Sequence, residues 1–241
     1  TELLYKHLNI PIKVKNKKNY DLIEIYGVKK LKTLNYKIPS DISSASFFIA
    51  LTIVTENSEL IIKNVNINPS RVGLVSILKK MGVKIKFKNL KTYKGEKIAN
   101  IEVKSPKFLK PIHCPAHLNS SAIDEFLIIF LIAAKAKGIS FFKGLSELDQ
   151  KESPRLKWGS KILNLMGVKT TVTKNSIKIF GNPSLKIKKK IIIKDFLKDH
   201  RVFMTSMIAG LTFGGEWIIY DKDSIKTSFP SFLKIIKKLG G

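Results

Sequence analysis

Three arginines stand out in a chain that builds the rest of its positive charge from lysine. Of 44 basic residues 41 are Lys, and Arg occurs at Arg71, Arg155 and Arg201. A guanidinium is a planar fork that grips a carboxylate or phosphate through two parallel N–H donors, which the point charge of lysine does not reproduce. Positions that keep Arg against such a background point to recognition of small anions. Arg71 lies in Asn68-Pro69-Ser70-Arg71-Val72-Gly73, and Arg155 in Lys151-Glu152-Ser153-Pro154-Arg155-Leu156. Each falls at the expected start of an amphipathic helix. Arg201, in Lys198-Asp199-His200-Arg201, falls at the start of an apolar one. Helix starts carry partial positive charge and unpartnered N–H groups, which attract the same ligands.

The elements that position these residues repeat. Met81-Gly82-Val83-Lys84 recurs as Met166-Gly167-Val168-Lys169. Each copy follows apolar residues at helical spacing (Val75, Leu78, Met81; Ile162, Leu163, Met166) and precedes an alternating strand (83–87; 168–172). Gly at the join permits the left-handed cap that ends a helix. Leu8-Asn9 near the start and Leu239-Gly240-Gly241 at the end read as the same join. A second helix repeats as well: Asp41 opens 42–54, Asp124 opens 125–134 and Asp199 opens 200–213. These helices are apolar nearly all round, which predicts burial. Asp41 and Asp199 also suit the N-cap position. A strand follows each helix: 59–63, 138–142 and 216–220.

The chain therefore reads as α/β, with repeated βαβαβ units in a pseudo-threefold arrangement of inner helices, sheets and outer helices. Three related inner-helix starts would face one surface. Residues 1–38 read as the tail of a preceding copy. Thr1-Glu2-Leu3-Leu4 reads as helix interior, as though the chain had been cut there.

Composition narrows the classes. Hydrophobic residues make up 44% of 241, enough for a sizeable core. No uninterrupted apolar stretch reaches the roughly 18 residues of a membrane span, and Phe126 to Ala134 reads as a buried helix. The single Cys114 excludes an internal disulfide and a cysteine-cluster metal site, and suits a reducing compartment. The net charge of +26 raises nucleic-acid binding. Yet the lysines are spread along the whole chain rather than concentrated with Arg and aromatics on one face, so they read as solvated surface. His113 and His117 read as loop residues without a role.

Six motifs in order resemble the 5-enolpyruvylshikimate-3-phosphate synthase family. They are Asp41-Ile42-Ser43-Ser44-Ala45, Asn68 to Gly73, Asp124-Glu125, Lys151 to Leu156, Asp199-His200-Arg201 and Ser228-Phe229-Pro230-Ser231-Phe232. The resemblance implies the enolpyruvyl transferase fold, two inside-out α/β barrel domains closing on substrates. It makes 1–40 a remnant of the first domain with the hinge, and 41–241 the second domain of three repeats. It implies transfer of the enolpyruvyl group of phosphoenolpyruvate to the 5-hydroxyl of shikimate 3-phosphate, in the cytoplasm, with no metal or organic cofactor. Neither nucleic acid nor membrane is an implied partner, and the full-length form would be a monomer. By carry-over, Asp124 accepts the hydroxyl proton and touches shikimate 3-phosphate, and Lys151 touches the same substrate. Glu152 transfers the proton at C3 of phosphoenolpyruvate. Arg155, Arg201 and His200 hold phosphoenolpyruvate, with Lys226.

Three departures qualify the pattern. Pro154 replaces an Asp, Leu148-Asp149-Gln150 stands where the family more often has Leu-Arg-Val, and Lys226 is one place from the aligned Thr227. Pro suits the first turn of a helix, so Arg155 keeps its place, but an acid is lost. Two other readings stay open at this level: the sister transfer to UDP-N-acetylglucosamine, and a basic nucleic-acid-binding domain. Alone, the chain is expected to lack turnover, because half of the site would be missing.

Overall fold

A computed structural model describes residues 2–18, 20–28, 30 and 33–240. Thr1 and Gly241, to which the readings of a cut helix and a final join extend, lie outside them.

The chain starts with α1 (Glu2–His7) and an antiparallel hairpin, β1 (Ile12–Asn16) with β2 (Asp21–Ile25). Next come α2 (Ile42–Val54), β3 (Glu59–Asn66), α3 (Gly73–Lys80), β4 (Ile85–Tyr93) and β5 (Glu96–Lys104). The same order returns as α4 (Asn119–Ala122) with α5 (Phe126–Ala133), β6 (Gly138–Lys143), α6 (Arg155–Leu165), β7 (Thr170–Thr173) and β8 (Ser176–Gly181). A shorter third unit follows as β9 (Ile187–Ile193), α7 (His200–Phe213), β10 (Gly214–Ile219) and α8 (Phe232–Lys238), with no hairpin after α8 among the described residues.

Sheet pairing shows the repeat independently of sequence. β3-β5-β4 and β6-β8-β7 are three-stranded sheets with the hairpin strand antiparallel in the middle. In each unit the backbone entering the inner helix also pairs parallel with the strand leaving it. Ser40 bridges Val65 across α2, His113 bridges Phe141 across α5, and β9 pairs with β10 across α7. Three crossovers of one kind enclose three inner helices, as the apolar pattern requires.

The joins follow the expected chemistry. Gly82 and Gly167 end α3 and α6 with φ of 89° and 87°, and Asn9 and Gly240 adopt 56° and 88°. All eight residues of α5 are buried, and Phe126, Phe130 and Phe142 pack edge to face or tilted at 5.2–6.0 Å. Aromatic pairs favour such geometry over a face-to-face sandwich. α6 lies so close to α5 that a Cβ on Gly159 would stand 2.6 Å from Phe130 Cδ2. Any side chain there would push α6, and with it Arg155, off the inner helix. Among the described residues, one helical run, Ala116–Ala133, is long and apolar enough to cross a membrane. Its Phe126–Ala133 section is core.

One expected boundary is corrected. The second inner helix does not open at Asp124. Helical backbone begins at Asn119, kinks at Ala122 (φ −128°), passes through a 3-10 turn at Ile123–Glu125 and continues as α5. Asn119-Ser120-Ser121-Ala122 has too few apolar residues to display a helical period. Instead, Asn119 Nδ2 holds it by donating to the carbonyls of Lys143 and Gly144 at 2.8 and 3.0 Å.

Candidate active site

The starts of the three inner helices meet, and their side chains interlock. At the first, Asp41 caps α2, its carboxylate accepting from the Ser44 N–H at 2.8 Å. That cap leaves Ser43 pointing inward, where its hydroxyl donates to Glu125 Oε1 at 2.6 Å. At the second start, Asp124 and Glu125 occupy the kinked turn. At the third, Asp199 caps α7 by accepting from the Arg201 N–H at 2.9 Å. The Arg201 guanidinium then reaches across to donate to the Asp124 carbonyl at 2.6 Å and lies 3.5 Å from Glu125 Oε1.

The outer helices supply the remaining cations. Arg155, the first residue of α6, has only 2% of its side chain exposed. Its Nε donates to Asp199 Oδ2 at 2.9 Å and its Nη2 to Asp199 Oδ1 at 3.3 Å. It also pairs with Glu152 and reaches Asp124 Oδ1 at 3.4 Å. Ser153 donates to Asp199 at 2.8 Å, so that fully buried carboxylate has three kinds of donor. Buried charge persists only when paired and hydrogen-bonded in this way. Arg71, in the turn before α3, donates to Ser43 Oγ at 2.9 Å and to Asp124 Oδ2 at 3.3 Å. Lys151 Nζ lies 3.2 Å from Asp124 Oδ1.

Asp124 is thus the hub. Burial would raise its pKa, but Arg201, Lys151 and Arg71 outweigh burial and hold the carboxyl below its usual range. Asp199 follows the same pattern, burial being outweighed mainly by Arg155. Glu125 goes the other way: burial raises its pKa more than Arg201 and Ser43 lower it. Burial, and then Arg201, push His200 below its ordinary 6.5, which favours the neutral imidazole.

Asp124, Lys151, Glu152, Arg155, Arg201 and His200 therefore come together at one face. Lys226 does not share these ion pairs; its Nζ pairs with Asp223 at 3.0 Å, three residues away. Several members had no role in the sequence reading. Arg71 was read as an anion-recognising guanidinium at a helix start but given no substrate, and Asp199 as a possible cap. Ser43 was noted only within a motif, and Glu125 only beside Asp124. An acid placed directly before the all-apolar run Phe126–Ala133 was the signal for Glu125. Four carboxylates (Asp124, Glu125, Glu152, Asp199) face four cations (Arg71, Lys151, Arg155, Arg201). Such a surface can hold doubly charged small anions and place an ionised carboxylate beside them.

Comparison with known proteins agrees with this geometry. Residues 1–236 match the family model for EPSP synthase (3-phosphoshikimate 1-carboxyvinyltransferase). A 3-phosphoshikimate 1-carboxyvinyltransferase of Endomicrobium trichonymphae is 35% identical over 239 residues, covering 99% of this chain and 54% of that protein. One from Zymomonas mobilis is 36% identical over 242 residues, covering 100% and 53%. The solved EPSP synthase of Acinetobacter baumannii superposes with a TM-score of 0.88 at 35% identity, over 99% of this chain and 53% of that one. The enolpyruvyl transferase NikO of Streptomyces tendae shares the fold, with a TM-score of 0.70 at 14% identity. The chain spans about half the length of the curated relatives it matches. On the fold, the six motifs and these matches, the chain belongs to the EPSP synthase (3-phosphoshikimate 1-carboxyvinyltransferase) family.

Proposed function

We propose that this chain supplies one half of an active site that joins phosphoenolpyruvate to the 5-hydroxyl of shikimate 3-phosphate and releases phosphate. The observation that carries the reading is the meeting of Asp124, Lys151, Glu152, Arg155 and Arg201 at one face. In this reading residues 1–40 belong to a first domain with the hinge, and 41–241 form the second domain. The enzyme acts in the cytoplasm, as a monomer, without metal or organic cofactor.

Each role follows from position. Asp124, kept ionised by its cations, accepts the proton of the attacking hydroxyl. Lys151, on the same carboxylate, fixes shikimate 3-phosphate beside it. Arg155 and Arg201, with neutral His200, hold the carboxylate and phosphate of phosphoenolpyruvate. Each of these cations already lies beside a carboxylate, so an arriving anion must take a cation from one of them. The Arg155–Glu152 pair is the one to yield, since Glu152 is half-exposed whereas Asp199 is fully buried. Substrate binding thereby frees Glu152 to take up a proton from solvent and pass it to C3 as the hydroxyl oxygen bonds to C2. The resulting tetrahedral adduct expels phosphate and returns one C3 proton to the Glu152 carboxylate, which restores the enol ether. Thr227 or Lys226 completes the phosphoenolpyruvate contacts.

The chain alone is expected to bind phosphoenolpyruvate but to release no phosphate when given both substrates. Joined to the amino-terminal half of a relative, it is expected to turn over, and Asp124→Asn should lower kcat by about 10²–10⁴-fold. Turnover by the isolated chain would refute the half-site reading. A full rate in Asp124→Asn would remove Asp124 as the base.

A further inference from the structure

The helix that presents Arg155 has no capping side chain of its own. Pro154 stands at the N-cap of α6 and offers no side-chain acceptor, and the first turn contains no acidic residue. The N–H groups of a helix start need partners from outside the helix. One comes from the preceding 3-10 turn, Ser146–Gln150: the Asp149 carboxylate accepts from the Leu156 N–H at 3.2 Å. Leu156 is the second residue of α6, the position an N-cap side chain ordinarily serves. The turn is well anchored, because Leu148 is fully buried and the Leu145 N–H donates to the Asn175 carbonyl at 2.9 Å.

We propose that Asp149 is a detached N-cap of α6, and through that cap a positioning residue for Arg155. The guanidinium of Arg155 divides its donors among Asp199, Glu152 and Asp124. It springs from the residue directly before the capped N–H. Fraying of this turn would therefore disturb all three contacts together. The carboxylate also places negative charge at the positive end of the helix. The two departures at 149 and 154 become one change: the acid absent from 154 is supplied from 149. The cap stands on its own geometry, while its consequence for phosphoenolpyruvate rests on the function proposed above.

The test compares Asp149→Ala, Asp149→Asn and Asp149→Ala/Pro154→Asp with the unaltered chain, by amide exchange at Leu156 and by titration with phosphoenolpyruvate. Asp149→Ala is expected to speed Leu156 exchange about 5-fold, the usual worth of an N-cap, and to weaken phosphoenolpyruvate binding by a similar factor. Asn also caps well, so Asp149→Asn should stay within about 2-fold of the unaltered chain in both measurements. The double variant should return to the same range. Unchanged exchange in Asp149→Ala overturns the proposal, as does a double variant that recovers neither property. The double variant carries its own cap and so decides the matter even if Asp149→Ala does not fold. If the unaltered chain ignores phosphoenolpyruvate, the proposed function fails, and Leu156 exchange still judges the cap.

Discussion

The starts of α2 and α5 carry the same residue at corresponding places in the repeat and use it differently. Asp41 accepts from the N–H and the hydroxyl of Ser44, so its carboxylate finishes the helix. Asp124 caps nothing; Lys151 and Arg155 meet one of its oxygens and Arg71 the other. The difference lies in the preceding backbone. α2 begins directly after Asp41, and its unpartnered N–H groups claim the nearest acceptor. Helical backbone begins five residues before Asp124, at Asn119, so by Asp124 the chain has already turned and the carboxylate is free for cations. A helix-start acid becomes available for chemistry when the helix no longer needs it. Asp199 stands between the two cases, capping α7 while holding buried Arg155.

That double duty makes Asp199 the place where substitution should hurt most. Asp199→Ala leaves Arg155 in a dry site without its main partner, and breaking a buried pair from one side typically costs about 3–5 kcal/mol. Urea unfolding should show the loss as a lower midpoint. A loss below about 1 kcal/mol would mean that Glu152 and Asp124 suffice for Arg155, and that Asp199 is only a cap.

Asp41→Ala should cost less, about 1 kcal/mol, as removal of an exposed N-cap does. Affinity for phosphoenolpyruvate should stay unchanged in that variant. If Asp41→Ala weakened binding as much as Asp124→Asn slows turnover, the two helix starts would not be distinct in kind.

How much of this contrast could be read from sequence depends on whether the signal was local. The joins at Gly82 and Gly167 were legible because only a left-handed residue ends those helices cheaply, and both glycines adopt that conformation. The inner helices were legible from all-round apolarity, and the arginines from their rarity among lysines. The helical lead-in from Asn119 was hidden, since Asn119-Ser120-Ser121-Ala122 shows no apolar period and its turn is held by Asn119 Nδ2 donating to the end of β6. β9 was hidden too: Lys188-Lys189-Lys190 are exposed, as read, but three lysines in a row show no strand alternation, although they lie in a strand paired with β10. The bond from Ser43 to Glu125 joins residues far apart in sequence, and no local pattern announces it. Lys226 was singled out by near alignment, and in the structure its Nζ pairs with Asp223.

The finest test concerns neighbouring carboxylates within α5's own start. Asp124 is held below the usual carboxylate range, while Glu125, more deeply buried, is pushed above it by loss of water. The signs therefore oppose. Glu125 has a raised folded pKa, so its contribution to stability is complete below its ordinary 4.5 and is lost as pH rises through the folded value. Asp124 contributes fully above its ordinary 3.8, and that contribution is lost as pH falls through the folded value. Glu125→Gln copies the neutral side chain at every pH and can keep the hydroxyl of Ser43 as donor. Its melting temperature should match the unaltered chain near pH 4 and exceed it near pH 8, by an amount equivalent to less than about 1 kcal/mol, within the usual range of single substitutions. The acid-side loss of stability, which belongs to Asp124 and Asp199, should persist in the variant. If Glu125→Gln is equally destabilised at both pH values, Glu125 acts as an ionised partner of Arg201. The two adjacent carboxylates would then be alike in charge, and only their exposure would separate the one that meets substrate from the one that holds the helix starts together.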